Sequence, residues 1–575
     1  VSGARRSRAQ PPAPAPPAPR PRTAALLFAA ALALRLLFWQ ATADAPWPHS
    51  AALKGDAAVW LAYAQSLADG RDYELGLPFR PPGAAYLLAA LSALGLGRVV
   101  LLKLAWCVLG ALVAPGVYAA ATRSLGTPVA AAAGGLAAAS TGLLILSTSL
   151  NNETPYLVLA VGVLWLFALA RDRPAPGRML AFGGLNALAC LFRAEHVLFA
   201  LAASALLLLG GKRRGPARGR PAALAAAGFL AVLLPWHLHA WAALRAFNRA
   251  APAREAPVVE AVETRLASLA WEPGAEACRQ ALPAFARRTA AAFVAATVAH
   301  RGGRVVRAED CAILEEAFGY TPRPLGTRPF VALYGPLNFA LANHGRAQGG
   351  FDRGLIEEPP PLRGDFPPVL VGGLPPPDLS LVYPPHLALV NHGYARGLAW
   401  MRSAPRGALA LLGRKLARFW SGAALGLGGY GLPLGLSGTR HTVDLVVPRG
   451  AAATGWRLLV LGACLAGLWR GRRRPEVWAW ALFLATKAVA AAAFFGYARL
   501  GASAIPAVAV LVAQAAAPLA ARVRPRLAVV LLGLAVGVEA VRFASRPELA
   551  LDGRPLTSGD PFPLDAHFDQ TLAVR

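Results

Sequence analysis

The chain has 575 residues, is 56% hydrophobic and 15% charged, and carries a formal net charge of +28. That is too apolar for an ordinary soluble protein, and runs long enough to span a bilayer recur along it, so the composition indicates a polytopic membrane protein. Most of the positive excess sits in short arginine clusters between apolar segments, the pattern that orients membrane proteins, which argues against nucleic acid as a partner.

In chain order, residues 1–22 are basic and Pro/Ala-rich and read as a disordered cytoplasmic tail. Thr23 to Gln40 is the first apolar segment. Its flanks also fit a cleaved signal peptide, but it is long for one and the chain goes on to span repeatedly, so a retained helix is expected. The first extracytoplasmic loop, 41–98, contains GDAAVWLAYAQSLADGRDYELGLPFRPPG. There Val59, Trp60 and Tyr63 follow Asp56 at helical spacing, and an Arg-Pro-Pro-Gly turn, Arg80 to Gly83, leads back towards the membrane. Gly83 to Gly97 is apolar but short, as expected of a helix lying along or dipping into the interface.

Spans are then expected at Val99–Ala121, Val129–Leu146, Pro155–Ala170, Met179–Phe192, Val197–Leu209 and Ala222–Leu244, completing an N-terminal module over 23–246. Residues 247–453, of mixed composition and rich in proline, read as an extracytoplasmic domain. Further spans follow at Trp456–Trp469, Val477–Phe495, Ile505–Ala520 and Leu527–Val541, within a C-terminal block over 454–545, and 546–575 is an outer tail. The expectation is an all-α protein of about 11 transmembrane helices with its N-terminus in the cytoplasm. In that topology every arginine cluster (5–22, 171–178, 212–220, 470–474 and 522–526) lands on the cytoplasmic side of the plasma membrane.

The five cysteines form no CxxC or Cys/His metal pattern. Cys107, Cys190 and Cys464 lie in apolar segments and read as small core residues. Cys278 and Cys311 fall in the large outer loop, a compartment that permits a disulfide between them.

The same parity puts Asp56, Arg80, Glu153, Arg193 and Arg499 on the extracytoplasmic face at span ends, where ionisable groups are costly and often mark function. Asp56 suits a general base that takes the proton of an acceptor hydroxyl; the plain alternative is a helix cap. Glu153, in the polar turn SLNNET, suits a second acid, a substrate hydroxyl contact or a metal ligand, or simply the start of the next helix. Arg80, Arg193 and Arg499 suit a lipid phosphate, since guanidinium matches phosphate oxygens; attraction to anionic headgroups is the alternative. Lys103 and Lys487 lie inside apolar runs and are expected to face the bundle interior. His237 and His239 are two residues apart, poor geometry for a shared metal on a helix, and read with Trp236 and Trp241 as interfacial anchors. ALANHGRAQG (340–349) and ALVNHGYARG (388–397) share a frame that fits a coincidence, a common turn or a duplicated binding element.

These stretches together resemble the GT-C fold membrane glycosyltransferases, in particular bacterial proteins related to protein O-mannosyltransferases and aminoarabinose transferases. The first-loop acid, the Trp/Tyr helix and the Arg-Pro-Pro-Gly turn carry the resemblance. So do SLNNETPY around Glu153, SAPRGALALLGRKLARFW (403–420) as an amphipathic helix before the late spans, and FFGYARLGASAIPAVAVL (494–511). Two departures are visible. Ala57 follows Asp56 where the family often has a second acid, which argues against a metal-dependent variant. Leu500 and Gly501 stand where the family has Tyr and a second Arg, which weakens a phosphate role for that loop. The resemblance implies a polyprenyl-phosphate sugar donor, an inverting displacement, the first-loop acid as base, and a glycan, lipid or protein acceptor. No cofactor is indicated, and a divalent metal stays open as an alternative. Two rivals remain: a transporter or lipid flippase, against which stands the absence of matching halves, and a catalytically inactive relative.

Overall fold

The computed structural model describes residues 18–41, 56–71, 76–172, 174–209, 219–266, 269–281, 284–310, 326, 328–350, 354–357, 379, 381, 384–428, 451–520, 530, 533, 534 and 537. It is mostly helical. Among the described residues the β structure is one parallel pair, Ala270 with Val305 and Trp271 with Val306.

The N-terminal helices are α1 (Pro21–Ala41), α2 (Ala57–Ala68), α3 (Gly83–Leu91), α4 (Val99–Leu125), α5 (Thr127–Ala139), α6 (Thr141–Ser147), α7 (Glu153–Asp172), α8 (Pro176–Phe192), α9 (His196–Leu209) and α10 (Gly219–Arg265). The outer segment adds α11 (Pro273–Ala281), α12 (Ala284–His300), α13 (Tyr334–Ala342), α14 (Pro384–Ser403) and α15 (Pro405–Gly426). The late helices are α16 (Ala451–Gly471), α17 (Pro475–Ala493), α18 (Ala498–Ala502) and α19 (Ile505–Ala515).

Five of these, α1, α4, α7, α10 and α17, are long and apolar enough to cross a membrane. The pair α5 and α6 makes a sixth if its 55° bend is counted within one span. The expected count of about 11 is therefore not reached among the described residues. Helices α8, α9 and α19 have 17, 14 and 11 residues, short for a perpendicular crossing. Most of the span expected at Leu527–Val541 lies outside the described residues. The run Val129–Leu146, read as one straight span, is broken at Ser140. Its backbone is extended there, and its hydroxyl accepts from Leu143 N and donates to Gly426 O at 2.7 Å.

Helix α10 runs without interruption from membrane-length apolar sequence through residues 246–247 to Arg265. Its membrane part is clamped to α8 by reciprocal glycines: a Cβ on Gly183 would lie 1.8 Å from Ala225 O, and one on Gly228 would lie 2.1 Å from Leu180 O. Small residues admit this close approach where lipid supplies no hydrophobic drive between helices. Further along α10, Trp236 Nε1 donates to Val331 O at 2.8 Å and joins the span to the outer segment, while Trp241 stacks under Arg245 of the same helix.

The large core lies among α1, α4, α5, α7 and α19. A second core, around Leu77, Phe79, Leu244, Leu333, Leu337 and Phe495, fastens the first loop to the outer segment. Leu333 N and Tyr334 N donate to Pro78 O and Phe79 O at 2.9 and 3.2 Å, which pins the backbone just before Arg80. The two similar stretches take different shapes: 340–349 ends α13 and turns at Asn343, whereas 388–397 lies inside α14. They pack on each other, since a Cβ on Gly397 would lie 3.3 Å from the Asn343 Cβ. Cys107, Cys190 and Cys464 are buried and free, and Cys278 is disulfide-bonded; Cys311 lies outside the described residues.

Candidate active site

Asp56, Glu153, Arg193, Glu195 and Arg499 each sit where a helix begins or ends, and Lys487 lies inside α17. Asp56 is the N-cap residue of α2, but its side chain makes no capping bond. It points away, and Oδ2 lies 2.9 Å from Arg499 Nη1. Glu153 opens α7 and is fully buried. The turn before it is tied by its own polar side chains: Asn151 Nδ2 donates to Leu146 O, and Asn151 Oδ1 accepts from Thr154 N at 3.0 Å. Trp106 Nε1 donates to Asn151 O at 2.8 Å and holds the turn against α4. Arg193 ends α8 in an extended conformation, Glu195 precedes α9, and Arg499 lies in α18.

These groups form one line of alternating charge. Asp56 meets Arg499; Arg499 Nε lies 3.2 Å from Glu153 Oε1; Arg193 Nη1 donates to the same oxygen at 2.6 Å. Arg193 Nε donates to Glu195 Oε1, and Lys487 Nζ lies 3.3 Å from that oxygen. Three carboxylates and three cations thus offset one another, as buried charges must if they are to stay ionised. The charge of Arg80 also acts on Asp56. Burial pushes the Asp56 carboxyl up, but the charges of Arg499, Arg80 and Arg193 outweigh it and hold the group below its ordinary value. Glu195 is likewise held low: burial opposes, and Arg193 and Lys487 prevail.

Three helices of full length, α2, α7 and α9, start at the cluster, so their positive N-terminal ends add to its cationic character. Glu153 Oε2 is buried and has no hydrogen-bond donor among the described residues. Beside it, Arg499 Nε is also buried and makes an ion pair with Oε1 but no hydrogen bond, so a polar donor and a polar acceptor of the site both stand open.

Asp56, Glu153, Arg193 and Arg499, expected from the sequence, are therefore brought into one contact chain, and Arg80 stands within electrostatic reach of Asp56. Sequence reasoning passed over Glu195 as a site residue, although it lies two positions after Arg193, and left Lys487 without a role. Lys487 is 3% exposed and sits 4.0 Å over the Tyr156 ring, whose hydroxyl bonds His196 Nδ1 at 2.9 Å. His196 Nε2 faces Asn186 Oδ1 at 3.1 Å, and the amide nitrogen of Asn186 donates to Phe182 O. The Asn186 oxygen can only accept, so this chain assigns the imidazole proton to Nε2 and leaves Nδ1 to accept from Tyr156. No group of three or more His, Cys, Asp or Glu among the described residues is arranged to hold a metal ion.

Residues 79–239 match the family model described as dolichyl-phosphate-mannose-protein mannosyltransferase. The chain resembles these membrane glycosyltransferases. The matched stretch contains Arg80, Glu153, Arg193 and Glu195; Asp56, Lys487 and Arg499 reach the cluster from either side of it.

Among solved structures, the oligosaccharyltransferase of Archaeoglobus fulgidus, tethered to an acceptor peptide, is 13% identical with a TM-score of 0.37. The alignment covers 94% of this chain and 56% of that one, so the protein spans little more than half of that relative. ArnT from Cupriavidus metallidurans in the apo state is 14% identical, with a TM-score of 0.30 and coverage of 86% of this chain and 76% of that one. The same protein bound to undecaprenyl phosphate is 12% identical, with a TM-score of 0.31 and coverage of 92% and 88%. Likenesses this distant carry no argument of their own. The comparison with curated proteins gave no match.

Proposed function

We propose that the protein is an integral membrane glycosyltransferase that moves a sugar from a polyprenyl-phosphate donor to an acceptor hydroxyl on the extracytoplasmic face, inverting the anomeric carbon. One observation carries the reading: a carboxylate of the first loop and an arginine of the late helices, Asp56 and Arg499, meet at the buried Glu153–Arg193 pair inside the family-matched stretch.

In this reading Asp56 accepts the acceptor's hydroxyl proton as its oxygen forms the new bond to the anomeric carbon. The bond from that carbon to the phosphate oxygen breaks on the opposite face, and polyprenyl phosphate leaves with the electron pair. Arg80, Arg193 and Arg499 stabilise the charge that develops there. Arg499 also couples binding to basicity. A phosphate entering beside it competes with Asp56 for the guanidinium, and a carboxylate relieved of that partner is a stronger base. Glu153 Oε2, a buried acceptor, suits a hydroxyl of the sugar or of the acceptor.

The test uses the purified protein in lipid with a panel of polyprenyl-phosphate sugars, following release of polyprenyl phosphate. Release by wild type and not by Asp56→Asn supports both the donor class and the role of the acid. No release from any donor by folded protein would favour the transporter or the inactive relative.

A further inference from the structure

Helices α14 and α15 meet at Ala404. Between Pro384 and Gly428 the sequence has five arginines and one lysine and neither Asp nor Glu. In a chain with 30 acids, this is a long stretch of one sign. The inner side of α15 is fixed. Lys415 is buried and donates to Asn343 Oδ1 at 2.7 Å and to Ala492 O at 3.3 Å. At the far end, Trp420 Nε1 donates to Arg457 O at 3.1 Å and Trp456 Nε1 donates to Ala424 O at 2.9 Å, tying α15 to the start of α16.

The outer side is left open. Leu409, Leu412 and Leu416 recur at three and seven residues, so they form one stripe, and they are 68%, 37% and 37% exposed. Arg402, Arg406 and Arg418 are exposed as well. Just beyond the tryptophan ties α16 presents two more exposed leucines, Leu458 and Leu459. Leucines directed into acyl chains, with arginines reaching up to headgroups, is the arrangement of a helix lying in a membrane interface. The unbroken positive sign selects which headgroups.

We propose that the outward face of α14 and α15 is a docking surface for the anionic phospholipids of the leaflet beside the charge cluster. The buried side of α15 carries α18 and with it Arg499. A Cβ on Gly422 of α15 would lie 2.0 Å from Ala498 O, and one on Gly501 of α18 would lie 1.9 Å from Phe419 O. Two helices in backbone contact move together, so the seating of α15 on its lipids sets the place of Arg499.

The test needs no sugar donor and therefore stands apart from the transferase reading. Wild-type protein is reconstituted in phosphatidylcholine vesicles, and energy transfer from its tryptophans to dansyl-labelled phosphatidylglycerol or dansyl-labelled phosphatidylcholine is titrated. A preference for phosphatidylglycerol is expected. The triple variant Arg402→Gln, Arg406→Gln, Arg418→Gln should weaken that preference on the order of a hundredfold. The corresponding triple Lys variant, which keeps the charge, should retain it, and free inorganic phosphate should not displace the lipid. Equal transfer from the two lipids in wild type, an unchanged preference in the Gln variant, or displacement by free phosphate would overturn the proposal.

Discussion

Arg499 and Asp56 are 443 residues apart and their charged ends lie 2.9 Å apart. The contact joins the loop after the first span to the helix before α19, and it passes through Glu153, which Arg499 Nε approaches to 3.2 Å. Replacing Asp56 by Asn keeps the shape and removes the proposed base. We expect turnover to fall by roughly a hundred- to ten-thousandfold, while affinity for polyprenyl phosphate is kept or improved. Turnover and product inhibition, measured on the same preparation, check both halves.

The pH dependence follows from the sign of the Asp56 shift. Its folded-state pKa lies below the ordinary 3.8, so the ionised form persists in the folded protein at a pH where an unfolded chain would begin to take up the proton. The stability this gives is present above 3.8 and is lost as the pH falls through the depressed value. The acid limb of kcat/KM for the free enzyme is expected below 3.8, and an acid limb near neutral pH that vanishes in Asp56→Asn would contradict it.

Lys487 and Glu195 form the buried end of the charge line. Lys487→Met leaves Glu195 with Arg193 as its cation in that line, and removal of one member of a buried pair typically costs about 3–5 kcal/mol. The double variant Lys487→Met, Glu195→Gln should recover part of that loss. Thermal unfolding of the four proteins in one detergent supplies the cycle; strict additivity would show that the two groups do not interact.

Glu153 neutralises two arginines at once. Glu153→Gln should lower stability, yet it should also bind polyprenyl phosphate more tightly, because Arg193 and Arg499 then meet an anion with less competition. Inhibition constants for the lipid phosphate decide this, and weaker binding would reverse the assignment of the arginines.

Glycine contacts offer a test that leaves every charge in place. Gly501→Ala would drive a methyl group into Phe419 O, so α18 must shift, and a shift of about 1 Å at Arg499 can cost on the order of a hundredfold in turnover. Gly413→Ala, on the open side of α15 with nothing within 4 Å, should instead raise stability by roughly 0.5–1 kcal/mol.

Much of this was legible along the chain because membranes make charges conspicuous. Asp56, Glu153, Arg193 and Arg499 stood out as ionisable groups at the ends of apolar runs, and topology alone put them on one side. Their order of pairing was not legible, since it depends on which helix ends meet across hundreds of residues. Lys487 was visible as an oddity, but its partner Glu195 lies 292 positions away. Glu195 itself, two positions after Arg193, was not singled out. The break at Ser140 was missed although Ser140-Thr141-Gly142 offers helix-capping chemistry; the bond to Gly426 that holds it there comes from a distant segment. The expected count of about 11 spans is not reached among the described residues, where α8 and α9 have 17 and 14 residues, fewer than a perpendicular crossing of a bilayer takes.

The sequence positions of the six charges also set an order of biogenesis. Glu153, Arg193 and Glu195 leave the ribosome together and can pair as soon as α7 to α9 are inserted. Asp56 must wait for Arg499, and Glu195 for Lys487, both of which emerge after α16. A half-made chain therefore holds more carboxylates than cations at this spot. Closing the line therefore depends on insertion of the last helices, which bring Lys487 and Arg499 to their carboxylates.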